Sequence, residues 1–260
     1  MELKFWIGLE DKVAIVTGGS EGIGRASALG LARHGVRVAI AARRPEALEK
    51  AAHDIREVGG KVLQVATDVT SPVDVERLVE LTLSQFGRLD ILVNNAGTSS
   101  AASFEGVDDA TWAADLDLKL HGAIRTTRAA LPHLKQRGGR IINITTPGGK
   151  HPGAKSLPTS VSRAAGIALT KALSKDLAAY GILVNTVCVG LIKSAQHERK
   201  ARELGVALDQ HYAELGKNLP LGRVGEAHEV ADVIVFLASA AASYVTGTSI
   251  NIDGGMSGAL

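Results

Sequence analysis

The 260-residue sequence predicts an α/β fold: one doubly wound domain of about seven parallel strands with helices on both faces. Three observations predict it. Short, continuously apolar runs such as Val13-Ala14-Ile15-Val16 read as strands buried on both faces. Longer segments with helix-start and helix-stop signals follow them, so strand and helix alternate along the chain. The first run also ends in a glycine-rich turn, Thr17-Gly18-Gly19-Ser20-Glu21-Gly22-Ile23-Gly24, that opens a helix.

Each element follows from local chemistry. Arg25 to His34 reads as the first helix, closed by Gly35, and Val36 to Ala41 as the second strand. Pro45 suits the first position of a helix to Val58, which Gly59-Gly60 ends. Val62 to Ala66 is the third strand. Ser71 caps the next helix, Asp74 sits in its first turn, and Gly87 stops it. Leu89 to Val93 is the fourth strand, and a long helix is expected from Trp112 to Gln136, kinked or broken at Pro132. Ile141 to Ile144, a helix from about Ser160 to Tyr180, and Ile182 to Val187 continue the alternation. A polar stretch from Lys193 to Gly225 interrupts it and is too long for a plain connection. It reads as part of a helical lid, at about 189–225, over a site at the carboxyl ends of the strands. A helix from Glu229 to Ala238 and a strand from Ser249 to Ile252 finish the pattern, a single domain over 1–260.

Composition excludes several classes. A 45% hydrophobic content with 22% charge suits an ordinary soluble globule, and a net charge of +2 with dispersed basic residues argues against nucleic acid. Cys188 is the only cysteine and lies in an apolar run, so it reads as an inert core thiol. No metal site is expected. Met1 to Lys12 carries Glu2, Lys4, Glu10 and Asp11 and lacks the apolar core of a signal peptide. With no apolar run of bilayer-spanning length, the expectation is a cytoplasmic protein without a membrane partner.

The glycine turn predicts dinucleotide binding. Gly18, Gly22 and Gly24 permit a tight turn and close approach of a pyrophosphate, and the helix N-terminus supplies N–H groups and a positive dipole end. The spacing is Gly-x-x-x-Gly-x-Gly, not the commoner Gly-x-Gly-x-x-Gly.

Further motifs stand in one order after this turn: Asp68-Val69, Asn94-Asn95-Ala96-Gly97, and Ile250-Asn251-Ile252-Asp253-Gly254-Gly255. With them the chain resembles the short-chain dehydrogenase/reductase family over nearly its whole length. The resemblance implies a Rossmann-type domain whose cofactor meets Gly18, Ser20, Glu21, Gly22, Ile23 and Gly24 at the turn. It places Asp68 and Val69 by the adenine, Asn95, Ala96 and Gly97 by the adenosine ribose, and Ile192 by the nicotinamide amide. Val189 stands where the family usually has proline, which implies a less rigid backbone there. The resemblance also implies a homodimer or homotetramer. The two long helices carry Leu116, Leu120, Ile124, Ile167 and Leu173 on more than the sheet-facing side.

Charge argues for NADP(H) over NAD(H). NAD-selective enzymes place an acid at the end of the second strand. Here Arg43 and Arg44 stand there instead, with guanidinium groups suited to a 2′-phosphate.

The catalytic positions depart from the family. Its Tyr-x-x-x-Lys pair falls at Thr159 and Arg163, its serine at Thr146, and its asparagine at Lys119. A threonine hydroxyl is far less acidic than a phenol, and Arg163 can hold a ribose or a carboxylate but cannot shuttle a proton. Lys119 could serve as acid or base if burial lowers its pKa, and His151 and Lys155 are further candidates. Tyr212 could reach the site only by the lid folding over it. Two readings stay open: an oxidoreductase on a carbonyl or alcohol substrate with an atypical site, or a non-redox enzyme or catalytically weak nucleotide-binding protein on the same scaffold. The charged lid names no substrate, and a polar or anionic small molecule is preferred.

Overall fold

Seven strands build one wholly parallel sheet in the computed structural model, which describes residues 7–259. They are β1 (Val13–Thr17), β2 (Arg37–Ala42), β3 (Val62–Ala66), β4 (Ile91–Asn94), β5 (Gly139–Thr145), β6 (Ile182–Val189) and β7 (Ser249–Ile252). Their spatial order is β3-β2-β1-β4-β5-β6-β7, so the chain reverses direction across the sheet between β1 and β4. That reversal opens a crevice at the carboxyl ends of the two strands, where ligands of such sheets bind. Met1 to Trp6, part of the segment read as lacking a signal peptide, lie outside the described residues.

The apolar runs bury both faces, as continuous rather than alternating hydrophobicity requires. From β1, Ala14 and Val16 face one core with Val38, Ile40, Ile142 and Val187, while Val13 and Ile15 face the other with Ala39, Leu92, Ile141 and Val184. Helices α1 (Gly22–Arg33), α2 (Pro45–Glu57) and α9 (Ala227–Ala238) cover the first face through Leu31, Leu48, Ile55 and Ile234. Helices α3 (Pro72–Phe86), α5 (Gly122–Leu134) and α6 (Thr159–Asp176) cover the second through Leu78, Leu134 and Leu173.

Helix ends follow the expected chemistry. The Ser71 hydroxyl accepts from Asp74 N–H at 3.3 Å with Pro72 at the first position of α3, and Gly87 ends it at φ 76°. The long helix expected at Trp112 to Gln136 is divided, and not at Pro132. It starts earlier, as α4 (Asp109–Leu116), capped by Asp108, widens into a π turn at Asp117–His121, and resumes as α5 through Pro132 to Leu134. The C-terminal long helix is likewise shorter than expected: α6 stops at Asp176, and a 3₁₀ turn carries the chain through Tyr180. Two short helices, α7 (Ala195–Leu204) and α8 (Leu208–Gly216), occupy the polar stretch after β6. Among the described residues no helix is long and apolar enough to cross a membrane.

A buried polar chain ties the middle of the sheet to α5 and α6. Asn94 Nδ2 donates to Asn143 Oδ1 at 2.9 Å, Asn143 Nδ2 donates to Thr170 Oγ1 at 2.8 Å, and the Thr186 hydroxyl reaches Thr170 Oγ1 at 2.7 Å. The Thr126 hydroxyl also donates to Asn94 Oδ1 at 2.6 Å. Satisfied throughout, such a chain rigidifies the strand ends beneath the crevice. Asn143→Ala removes two buried hydrogen bonds from the chain and is expected to cost about 2 kcal/mol or more. Urea denaturation, read as a lower midpoint at unchanged slope, checks this.

Candidate active site

The crevice begins at the turn after β1. Gly18 and Gly22 take φ of +63° and +52°, the left-handed region that excludes most side chains. A Cβ on Gly24 would stand 2.1 Å from the Gly18 carbonyl oxygen, so α1 can start this close to the turn only with glycine there. The turn is pinned from β4. Thr17 Oγ1 accepts from the N–H groups of Asn95 and Ala96 at 3.0 and 3.1 Å, and Asn95 Nδ2 donates to the carbonyls of Thr17 and Gly18 at 3.0 and 3.1 Å. Glu21 is the N-cap residue of α1, but its side chain does not cap the helix. Nothing lies within 4 Å of the place a Gly22 Cβ would take. A helix start left uncapped, with open space at Gly22, fits a dinucleotide pyrophosphate. Ser20 is buried in the turn.

The cationic edge is more constrained than two arginines in sequence suggest. Both are exposed, but Arg44 Nη2 stands 2.6 Å from Glu21 Oε1, which ties the end of β2 to the glycine turn. Asp68 accepts from the Thr70 N–H and hydroxyl at 2.9 and 2.8 Å. The Thr70 N–H is the main reason its carboxyl lies below the usual range, and the nearby Arg43 charge adds to it. Val69 is buried beside it.

The chemical cluster lies where the π turn meets the start of α6. Lys119 sits on the π turn and is buried. Its Nζ donates to Asp115 Oδ1 and, at 2.9 Å, to Thr159 Oγ1. That hydroxyl oxygen also accepts from the Ser100 N–H at 3.1 Å. Burial pushes the Lys119 ammonium below its usual pKa; the Asp115 bond opposes this and the Arg163 charge adds to it. Arg163 donates from Nη1 to the Ile144 carbonyl at 2.8 Å, and its buried Nε has no partner. Enclosure pushes its pKa down to about 10, against the pull of Asp115. A Cβ on Gly97 would meet Arg163 Nη2 at 2.9 Å, so the last residue of Asn-Asn-Ala-Gly makes room for the guanidinium. Thr146 follows β5 half-buried at the N-terminus of a 3₁₀ turn over Pro147–Gly149, its side chain making no capping bond.

The remaining candidates separate from this cluster. His151 and Lys155 are exposed on the loop before α6. Tyr212 is buried between α7 and α8, where its hydroxyl meets Ser194 N and O at 3.2 and 3.4 Å, so it braces those helices. Ile192 is buried and bridges to Gly225, closing the stretch between them at its base. Val189 belongs to β6 and pairs with Ile252, so the ladder holds the backbone that proline would otherwise stiffen. Asp115 was not singled out in sequence, although an acid four residues before a lysine on a helix is a readable pair.

A parallel sheet in this strand order with this glycine turn is the frame of a short-chain dehydrogenase/reductase, and the chain belongs to that family. Residues 18–257 match the family model described as enoyl-(acyl carrier protein) reductase. The chain is 35% identical to the 3-oxoacyl-[acyl-carrier-protein] reductase FabG of Thermotoga maritima over 252 residues, 95% of this chain and 98% of that protein. L-sorbose reductase from Gluconobacter frateurii, solved with NADPH and L-sorbose, superposes with a TM-score of 0.94 at 34% identity, covering 98% of this chain and all of the other. A short-chain oxidoreductase from Pseudomonas aeruginosa PAO1, described as containing an atypical catalytic center, superposes at 0.92 with 34% identity, over 97% of this chain and all of the other.

Cys188 is fully buried and shares a hydrogen bond with Thr145 Oγ1 at 3.1 Å, and burial pushes its thiol pKa up. It is expected to resist Ellman's reagent in the folded protein and to react fully on unfolding. Rapid labelling of the native protein would contradict that assignment.

Proposed function

We propose that this protein reduces a ketone to an alcohol with NADPH, and that the proton reaches the substrate from Lys119 through the Thr159 hydroxyl. The observation that carries the reading is the 2.9 Å bond from Lys119 Nζ to Thr159 Oγ1. Two donors occupy the lone pairs of this oxygen, which leaves its own O–H to point at a substrate oxygen. A threonine hydroxyl alone is too weak an acid. Backed by an ammonium whose pKa burial lowers, it can pass a proton on as it receives one. The names of the FabG relative and of L-sorbose reductase both denote ketone reduction, and the Pseudomonas relative supports an atypical site on this scaffold.

In this reading Thr159, Arg163, Thr146 and Lys119 replace the family's tyrosine, lysine, serine and asparagine. Thr146 donates to the substrate oxygen, and Arg163 holds the nicotinamide ribose. NADPH supplies the hydride when bound. Gly18, Ser20, Glu21, Gly22, Ile23 and Gly24 hold the pyrophosphate, Asp68 and Val69 the adenine, and Asn95, Ala96 and Gly97 the adenosine ribose. Ile192 offers its backbone to the carboxamide. Helices α7 and α8 serve as the lid of a single domain and exclude water from the site.

Two expectations test the chemistry. Ketone reduction, followed as NADPH consumption over a panel of polar and simple ketones, is expected to be slow on simple ketones and to fall as pH rises and Lys119 loses its proton. Thr159→Val and Lys119→Met should each lower it by about 10²- to 10⁴-fold with NADPH affinity retained. Unchanged rates in both variants would remove the relay. Tight binding of NADPH without its consumption on any carbonyl would favour the non-redox reading.

Cofactor choice is tested separately. NADPH is expected to bind more tightly than NADH, because a 2′-phosphate can engage Arg43 and draw Arg44 away from Glu21. Arg43→Ala with Arg44→Ala should abolish a preference on the order of 1–3 kcal/mol in fluorescence titration.

Assembly as a homo-oligomer belongs to the same proposal. Helix α6 buries Ser160, Ser162, Thr170 and Ser174, and Leu173 packs on the sheet, whereas Leu116, Leu120, Ile124 and Ile167 remain only half-buried. Light scattering is expected to report a dimer or tetramer, and a monomer at micromolar concentration would refute this.

A further inference from the structure

Asp115 stands one turn before Lys119, where α4 gives way to the π turn. Both side chains are 1% exposed, so this is a buried ion pair. Oδ1 takes the Lys119 ammonium, but Oδ2 is buried with no hydrogen-bond partner, and so is Arg163 Nε across the cluster. A carboxylate held this way is costly to bury, and a purely structural pair would be expected to satisfy both of its oxygens. One negative charge therefore faces two positive ones. It is bonded to Lys119 and acts on Arg163 through its field.

The groups packed against Lys119 divide by the direction in which they act. Burial and the Arg163 charge on α6 favour loss of its proton. The Thr159 hydroxyl, also from α6, is neutral. Asp117, on the π turn itself, is engaged at 2.6 Å by Arg125. Asp115 remains as the acid that opposes deprotonation.

We propose that Asp115 is a positioning residue that keeps Lys119 charged and aimed at Thr159, so that the pair can release a proton on demand. The inference rests on the reductase reading above. Thr159 gives its O–H proton to the substrate oxygen, Lys119 gives an N–H proton to Thr159, and Lys119 recovers one from solvent. Asp115 neither gives nor takes a proton in this sequence, so no proton is left unaccounted for.

The test reads Lys119 directly. In protein carrying ¹³C-labelled lysine, the Lys119 Cε resonance, assigned by its loss in Lys119→Met, is titrated without cofactor. Wild-type Lys119 is expected to be charged at about pH 7, and Asp115→Asn to lower its midpoint by about one pH unit or more. Asp115→Glu, which keeps the charge, should hold the midpoint within about half a unit of wild type. The alkaline fall of NADPH-dependent ketone reduction should move with the midpoint in each variant, whereas lost packing would lower the rate without moving it. An unmoved midpoint in Asp115→Asn overturns the proposal, and so does a wild-type Lys119 already neutral at about pH 7. Should Asp115→Asn fail to fold, the wild-type and Asp115→Glu titrations still decide the question. A protein that reduces no ketone but shows the shifted midpoint would refute the reductase reading and leave the role of Asp115 standing.

Discussion

The bonds between Thr17 and Asn95 hold together the two strand ends on which the site depends. Thr17 closes β1 and Asn95 follows β4, the pair between which the sheet reverses its order. Backbone pairing between these strands stops at Val16 and Val93. Past that point the ladder no longer holds the chain, and side chains must. The Thr17 hydroxyl gathers two N–H groups while the Asn95 amide spans two carbonyls, so the glycine turn cannot swing away from β4.

The second constraint is the cost of polar burial. Three ionisable groups, Asp115, Lys119 and Arg163, meet at the floor of the crevice, where an unpaired charge would be expensive. The fold meets that cost unevenly. The Ile144 carbonyl and Asp115 each satisfy one cation, Gly97 leaves space for the guanidinium, and one oxygen and one nitrogen are left without partners. Next to it the Asn94–Asn143–Thr170 chain is fully bonded. A rigid, satisfied layer thus supports an unsatisfied one.

Much of the fold was legible in the sequence because it rests on local signals. Continuous apolar runs named the strands, Ser71, Pro72 and Gly87 bounded α3, and the glycines of the first turn marked the crevice. The candidate positions Thr146, Thr159, Arg163 and Lys119 were reached by spacing from recognisable motifs, and of these the structure bonds Lys119 to Thr159. Their relations were not legible in that way. The π turn at Asp117–His121 carries no local breaker, whereas Pro132, which does look like one, is accommodated within α5.

By itself, then, the sequence determined the alternation of strand and helix, the glycine turn and the family. The first two depend on periodicity, capping and backbone freedom, which neighbouring residues decide; the family rests on the resemblance of motifs standing in one order. Only the tertiary structure decided that Arg44 pairs with Glu21, that Tyr212 braces the α7–α8 pair, and that Lys119 bonds Thr159 with Asp115 behind it. Such partners can lie far apart along the chain, 40 residues in the case of Lys119 and Thr159. Their protonation depends on burial, charge and hydrogen bonds that exist only once the sheet and its helices have closed around them.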